Sequence, residues 1–192
     1  MTPPSDDLLP ATPPQKKNSR PPHRPLPTRW EKHFLNIALC CARMSKDPNT
    51  QVGAVIVGPD KEIRTTGFNG LPRGIDDTHE RLQDKVRKLK IIVHAEMNAI
   101  MNAARVGIPV KGCTMFIACT DDSGAVWGGP PCTRCTVELI QSGISHVVAY
   151  QIKQVSSWLE DLTFARELLL ESGVEFKEVR YRPGGVPAPP SR

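Results

Sequence analysis

The sequence predicts an α/β fold built on a mixed sheet with helices on both faces. Two observations carry this. Beyond residue 94, helical and strand-like patterns alternate, which implies parallel pairing through crossover helices that cover the sheet. Before residue 94, two strand-like runs, 51–57 and 62–68, are joined only by a turn at Gly58-Pro59-Asp60, so that pair is antiparallel. A length of 192 residues suits one domain large enough to bury a core.

Each element follows from a local pattern. Over 30–44, apolar residues recur at helical spacing (Phe34, Ile37, Ala38, Cys41, Met44), and Asp47-Pro48-Asn49 closes that helix in a turn. The valine-rich run QVGAVIV over 51–57 reads as a buried strand. Residues 70–92 combine a Gly/Pro loop with a charged segment of helical character. A helix over 95–106 ends at Gly107, with Pro109 beyond it. A strand over 114–118 leads into a polar, glycine-rich loop over 120–131. A helix over 133–142 stops at Gly143, a strand spans 145–150, a helix over 158–172 stops at Gly173, and a last strand spans 174–179. There is no internal repeat.

Proline and charge concentrate at the ends. Of 19 prolines, nine fall in residues 1–27 and four in residues 183–192, and both ends lack periodic apolar residues. Residues 1–29 and 182–192 therefore read as flexible tails around a domain over 30–181. Residues 1–29 carry Lys16, Lys17, Arg20, Arg24 and Arg29 against Asp6 and Asp7, a balance of +3, and Arg182 and Arg192 add +2. These together equal the formal net charge of +5, so the domain itself is near neutral, the pI of about 9.0 says little about a nucleic-acid groove, and no nucleic-acid partner is expected. No apolar run reaches membrane-span length and no signal-peptide core opens the chain, so the expected location is the cytoplasm and no membrane partner is expected. In that compartment six cysteines read as thiols or metal ligands rather than disulfides.

The chemistry lies in two short stretches. In VHAEMNAI (93–100), His94 and Glu96 are two residues apart, about 200° of helical rotation, and can converge only if His94 sits at or just before the first turn. In GGPPCTRC (128–135), Cys132 and Cys135 are three apart and face the same way at a helix start that Pro131 suits. The positive end of a helix favours thiolate. Two thiolates and one imidazole make three zinc ligands and leave a fourth place for water, the mark of a catalytic rather than a structural site. Such a site lowers the pKa of its water from about 15.7 to about 7, and Glu96 is placed to take that proton, pass it to a ring nitrogen and deliver one to a leaving amine. H-x-E followed by P-C-x-x-C is the known pattern of zinc nucleobase deaminases.

With SKDPNTQVGAVIV (45–57), GFNGLPRG (67–74) and IQSGISHVV (140–148), these motifs make the sequence resemble the deoxycytidylate (dCMP) deaminase family of cytidine-deaminase-like zinc enzymes. The resemblance implies a three-layer α/β/α sandwich with a mixed five-stranded sheet, a catalytic zinc, and conversion of dCMP to dUMP; some members of the family carry a second, structural zinc, but Cys40 or Cys41 with His79 make no four-ligand set here, so none is expected. It implies a homohexamer activated by dCTP and inhibited by dTTP, with Mg2+ accompanying a triphosphate. By the same match His94, Cys132 and Cys135 are the ligands and Glu96 the proton shuttle. Asn49, Lys46 and Ala95 fall to the substrate, and Asn69, Gly70, Arg73 and Arg105 to the effector. Cys40, Cys41, Cys113 and Cys119 read as buried thiols.

Two departures bear on the substrate. CTDDSGAVWGGP stands between strand and cysteines where the family has a couple of residues, and its Trp127 is placed to stack on a base. Where the family offers a tyrosine just past the strand at Tyr150, this chain has Gln151, Ile152 and Lys153. A 5-methyl or 5-hydroxymethyl dCMP is therefore the alternative substrate. A tRNA adenosine deaminase would want a basic surface, and an inactive nucleotide sensor would not need Glu96.

Overall fold

The computed structural model describes residues 26–121, 123–152 and 156–182. The tails inferred over 1–29 and 182–192 lie almost wholly outside these residues. At the inner edge of the first, the helix already begins: α1 (Arg29–Ala42) is closed by a capping box. The Thr28 side chain accepts from Glu31 N, and the Glu31 carboxylate accepts from Thr28 N.

β1 (Thr50–Val57) and β2 (Ile63–Phe68) form the antiparallel hairpin, followed by α2 (His79–Gln83), α3 (Lys85–Ile91) and α4 (Ala95–Val106). β3 (Thr114–Asp121), β4 (Val126–Trp127), α5 (Thr133–Gln141), β5 (His146–Tyr150), α6 (Leu159–Glu171) and β6 (Glu175–Val179) complete the chain. The sheet order is β2-β1-β3-β5-β6. β1 pairs antiparallel with both β2 and β3, whereas β3–β5 and β5–β6 are parallel, as the alternation after residue 94 required.

Strand alternation divides the core into two layers. Ala54, Ile56, Met115, Ile117, Val147 and Ala149 face α4, α5 and α6, with Ala99, Leu139 and Leu169 packed on them. Their neighbours Val55, Val57, Phe116, Ala118, Val148 and Tyr150 face α1 through Phe34, Leu35 and Ala38. The result is a three-layer α/β/α sandwich. Truncating a fully buried member such as Leu35, Ile56 or Leu139 costs about 2–5 kcal/mol.

Gly67 sets how closely α4 approaches the sheet. A Cβ there would lie 2.3 Å from the Ala95 carbonyl oxygen and 2.4 Å from Ala99 N. Only a residue without a side chain lets β2 lie against the first turn of this helix.

Several expectations need correction. The sheet has a sixth, two-residue strand, β4, inside the segment expected to be a loop over 120–131. It pairs with β3 through Cys119↔Trp127 and Thr120↔Val126, past the end of the β3–β5 pairing at Ile117↔Ala149. Its two residues carry no readable period. The α1 stripe is also rotated from the expected one: Leu35 and Ala42 are buried, while Met44 is 63% exposed beyond the helix end. Cys113 and Cys119 are buried, but Cys40 is exposed and Cys41 half-buried. No described helix is long and apolar enough to cross a membrane.

Candidate metal centre and active site

Two helix N-termini bring the site together. His94 is the N-cap of α4, extended at φ −70° and ψ 158°, so its side chain departs from the helical spiral and Glu96 falls in the first turn. Val93, just before it, is held in an isolated bridge to Gly70, with Gly70 N donating to Val93 O and Val93 N to Gly70 O. Cys132 is likewise the extended N-cap of α5, and Cys135 lies one turn on. The His94 side chain makes no capping bond to α4. The exposed end of α5 is capped from α6 instead: Thr133 N donates to Asp161 Oδ2, and Thr133 Oγ1 to the Asp161 carbonyl. Cys132 is thereby left free to be a ligand.

The geometry of the triad fits zinc. His94 Nδ1 lies 3.4 Å from the sulfurs of both Cys132 and Cys135, and one donor atom from each residue lies within 4.8 Å of the others. Tetrahedral zinc with Zn–N and Zn–S bonds of about 2.1 and 2.3 Å gives N–S edges of about 3.6 Å. It is the only such His/Cys/Asp/Glu group among the described residues.

The electrostatics are those of a site that exchanges protons for metal. The Cys135 thiol, then the His94 ring, bond to Cys132 and hold it far below the ordinary thiol range. The same Cys132 contact pushes His94 up to about 9. Cys135 is pushed up, first because it is the donor to Cys132. Zinc would take both thiolates and a neutral ring, and its uptake would release protons. Glu96, 6% exposed, is raised by burial and partly drawn back by the His94 charge. A carboxyl poised above its usual range is suited to move protons near neutral pH.

His94, Glu96 and Cys132 open on a cavity of about 460 Å³ at the carboxyl ends of β3 and β5, large enough for a small molecule. Asn49 is exposed on its rim, and Trp127 forms part of its wall. Trp127 is held by β4 and by Gly128, whose N–H donates to Gln151 O and where a Cβ would lie 2.5 Å from the Tyr150 carbonyl oxygen. Ile152, standing where a tyrosine was expected, lines the same wall. Cys119 also lines it, and burial, then the Glu96 charge, keeps its thiol protonated.

The structure separates the other expected residues. Asn69 faces the same cavity, and its amide is spent on β1: Oδ1 accepts from Val52 N and Nδ2 donates to Thr50 O. Lys46 lies off the cavity in an ion pair with Asp77, and Ala95 is buried against Gly67. Arg73 donates to Asn102 Oδ1 on α4, and Arg105 is exposed on the same helix. Neither arginine lines the cavity. Sequence reasoning missed Lys85, Lys88 and the buried role of Asp47. Lys88 Nζ meets Asp47 Oδ2 at 2.9 Å in the cavity wall, where both side chains are nearly inaccessible. No local spacing signals that pair, because its partners lie in different elements.

Known proteins agree with this construction. The family described as "Cytidine and deoxycytidylate deaminase zinc-binding region" matches residues 28–151. Human deoxycytidylate deaminase is 36% identical over 156 residues, covering 78% of this chain and 79% of its own. A probable deoxycytidylate deaminase of Caenorhabditis elegans is 41% identical over 122 residues, covering 61% of this chain and 56% of its own. The crystal structure of a cyanophage S-TIM5 dCMP deaminase with dCMP and dUMP shares the fold at a TM-score of 0.59. Its identity is 22%, and the match covers 78% of this chain and 96% of that one. On the family match and the human relative, the chain belongs to the cytidine and deoxycytidylate deaminase family of zinc-binding hydrolases that act on cyclic amidines.

Proposed function

We propose that this protein hydrolyses dCMP to dUMP and ammonia, with one zinc held by His94, Cys132 and Cys135. The observation that carries the reading is the meeting of a His/Cys/Cys set and a buried carboxyl at two helix N-termini in one small-molecule cavity. The names of its relatives support the choice of nucleotide.

Bound zinc would supply a water acidified to near neutrality. The chain's own residues do the rest. Glu96 takes a proton from the attacking water and places it on N3 of the cytosine ring as oxygen adds to C4. It then takes the second proton from the hydroxyl now on C4 and delivers it to the exocyclic amine, the C4–N4 bond breaks, ammonia leaves and C4 keeps the oxygen as a carbonyl. Asn49 bonds the sugar, Trp127 stacks on the base, and the Ala95 backbone helps seat it. Lys46 stands beside the loop that carries Asn49, paired with Asp77.

The wall built by β4 and Trp127 favours a second reading, a 5-substituted dCMP such as the 5-methyl or 5-hydroxymethyl nucleotide. Regulation by dCTP and dTTP, with Mg2+ on the triphosphate, belongs to the outer side of α4. There Arg73 and Arg105 carry donors away from the cavity, and Gly70 leads into Arg73. Asn69 serves the cavity rather than that surface. The working form is a homohexamer in the cytoplasm.

Chromatography of products from dCMP, 5-methyl-dCMP, 5-hydroxymethyl-dCMP, CMP and dAMP, with and without dCTP or dTTP, tests this. The expected result is dUMP from dCMP at a rate the triphosphates change. Preference for a 5-substituted nucleotide would assign the insertion to specificity, and no deamination of any of them would refute the reading.

A further inference from the structure

The nucleotide reading leaves the phosphate without a partner. The one cation assigned to the substrate, Lys46, pairs with Asp77 off the cavity. Among the described residues lining the cavity, Lys85 and Lys88 are the only cationic side chains besides the metal-ligating His94.

We propose that Lys88, with Lys85 one turn earlier on α3, recognises the 5′-phosphate of the nucleotide and makes the site select monophosphates over nucleosides. This rests on the nucleotide-deaminase reading above. Lys88 is 6% exposed at its side chain, yet it lines the cavity. Burying an ammonium and a carboxylate costs several kcal/mol per ion before they attract each other, and apolar residues of similar size often serve a fold as well or better. A buried pair in a cavity wall therefore calls for a reason beyond stability.

Its geometry supplies one. Asp47 Oδ2 takes the Lys88 ammonium at 2.9 Å, while Oδ1 accepts from Asn49 N at 2.9 Å and Thr50 N at 3.3 Å. Asp47 is committed to all three. Lys88 has three N–H donors, of which one meets Asp47. The others are held in place for an acceptor in the cavity, beside the Asn49 that the same carboxylate orients. Asp47 neutralises Lys88, and Lys85 is exposed with no ion pair among the described residues, so the cluster keeps a net positive charge. A phosphate monoester carries about −1.5 to −2 at neutral pH and offers three strong acceptors. A nucleoside offers no such charge.

Three proteins test this: wild type, Lys85→Gln, and the double variant Asp47→Asn with Lys88→Met. The double variant removes both buried charges together, and the amide it places at position 47 keeps a side-chain carbonyl for the loop N–H groups. The readouts are kcat/KM for dCMP relative to deoxycytidine, and calorimetric affinity for dUMP relative to deoxyuridine, each at measured zinc content. The expected loss of preference for the phosphorylated ligand is several-fold in Lys85→Gln and at least tenfold in the double variant, the scale of one charged hydrogen bond. Equal losses for nucleotide and nucleoside would overturn the assignment and make the pair a brace for the 47–50 loop. An unchanged preference would overturn it as well. A wild-type protein that binds and deaminates neither ligand would instead overturn the nucleotide reading beneath it.

Discussion

His94 Nδ1 lies 3.4 Å from Cys135 Sγ across 41 residues of chain, close to the N–S edge of about 3.6 Å in tetrahedral zinc. Removing either donor leaves two ligands. Cys135→Ser is expected to lower zinc affinity by at least a hundredfold and to abolish turnover, as read by competition with a chromophoric chelator. Retention of stoichiometric zinc by this variant would mean that another group closes the site.

Gly67 and Ala99 define how α4 meets the sheet. With a Cβ only 2.4 Å from Ala99 N, Gly67→Ala forces the first turn of α4 outward, and His94 and Glu96 move with it. Overpacking of this kind costs about 1–3 kcal/mol. The expected outcome is a Tm lower by about 2–12 °C, on a scale of about 2–4 °C per kcal/mol for a chain of this size, together with weakened zinc binding. Differential scanning calorimetry checks it, and a Tm equal to wild type would contradict the packing argument.

Asp161 caps a helix it does not belong to. Asp161→Ala removes the carboxylate that accepts from Thr133 N and exposes the N-terminus carrying both cysteines. Loss of a cap costs about 0.5–2 kcal/mol. Zinc should dissociate faster from this variant at an unchanged overall fold, measured by metal transfer to a chelator over time.

Burial raises the Glu96 carboxyl above its ordinary value of 4.5, so the fold favours its protonated form. That stabilisation is fully present below pH 4.5 and is lost as pH rises through the higher folded value. The neutral isostere escapes the penalty. In metal-free protein, Glu96→Gln is therefore expected to melt above wild type at pH 7.5, with the gap closing near pH 4. A variant that melts below wild type at both values would show that the ionised carboxylate holds the fold.

The parts of this protein that were legible in its sequence are those governed by neighbours along the chain. The α4 boundaries at Ala95 and Val106 follow from apolar spacing and Gly107, and the parallel order of β3, β5 and β6 follows from the helices between them. His94, Cys132 and Cys135 could be grouped because each pair of residues announces a helix start with ligand chemistry. What stayed hidden depends on distant partners. Lys88 looks like one more charge in a solvated run until Asp47, from another element, buries it. Asn69 read as a nucleotide ligand, yet its amide clamps the start of β1. β4 is two residues long and exists only because β5 ends short of Cys119, leaving one edge of β3 free to pair.

Glu96→Gln in zinc-loaded protein tests the central claim most directly. The variant should hold one zinc per chain, keep its affinity for dUMP within a few-fold and lose at least a hundredfold in kcat for dCMP, the lower bound for removing a positioned proton carrier. Wild-type turnover in a zinc-replete Glu96→Gln protein would contradict the assignment of the proton steps to this carboxylate.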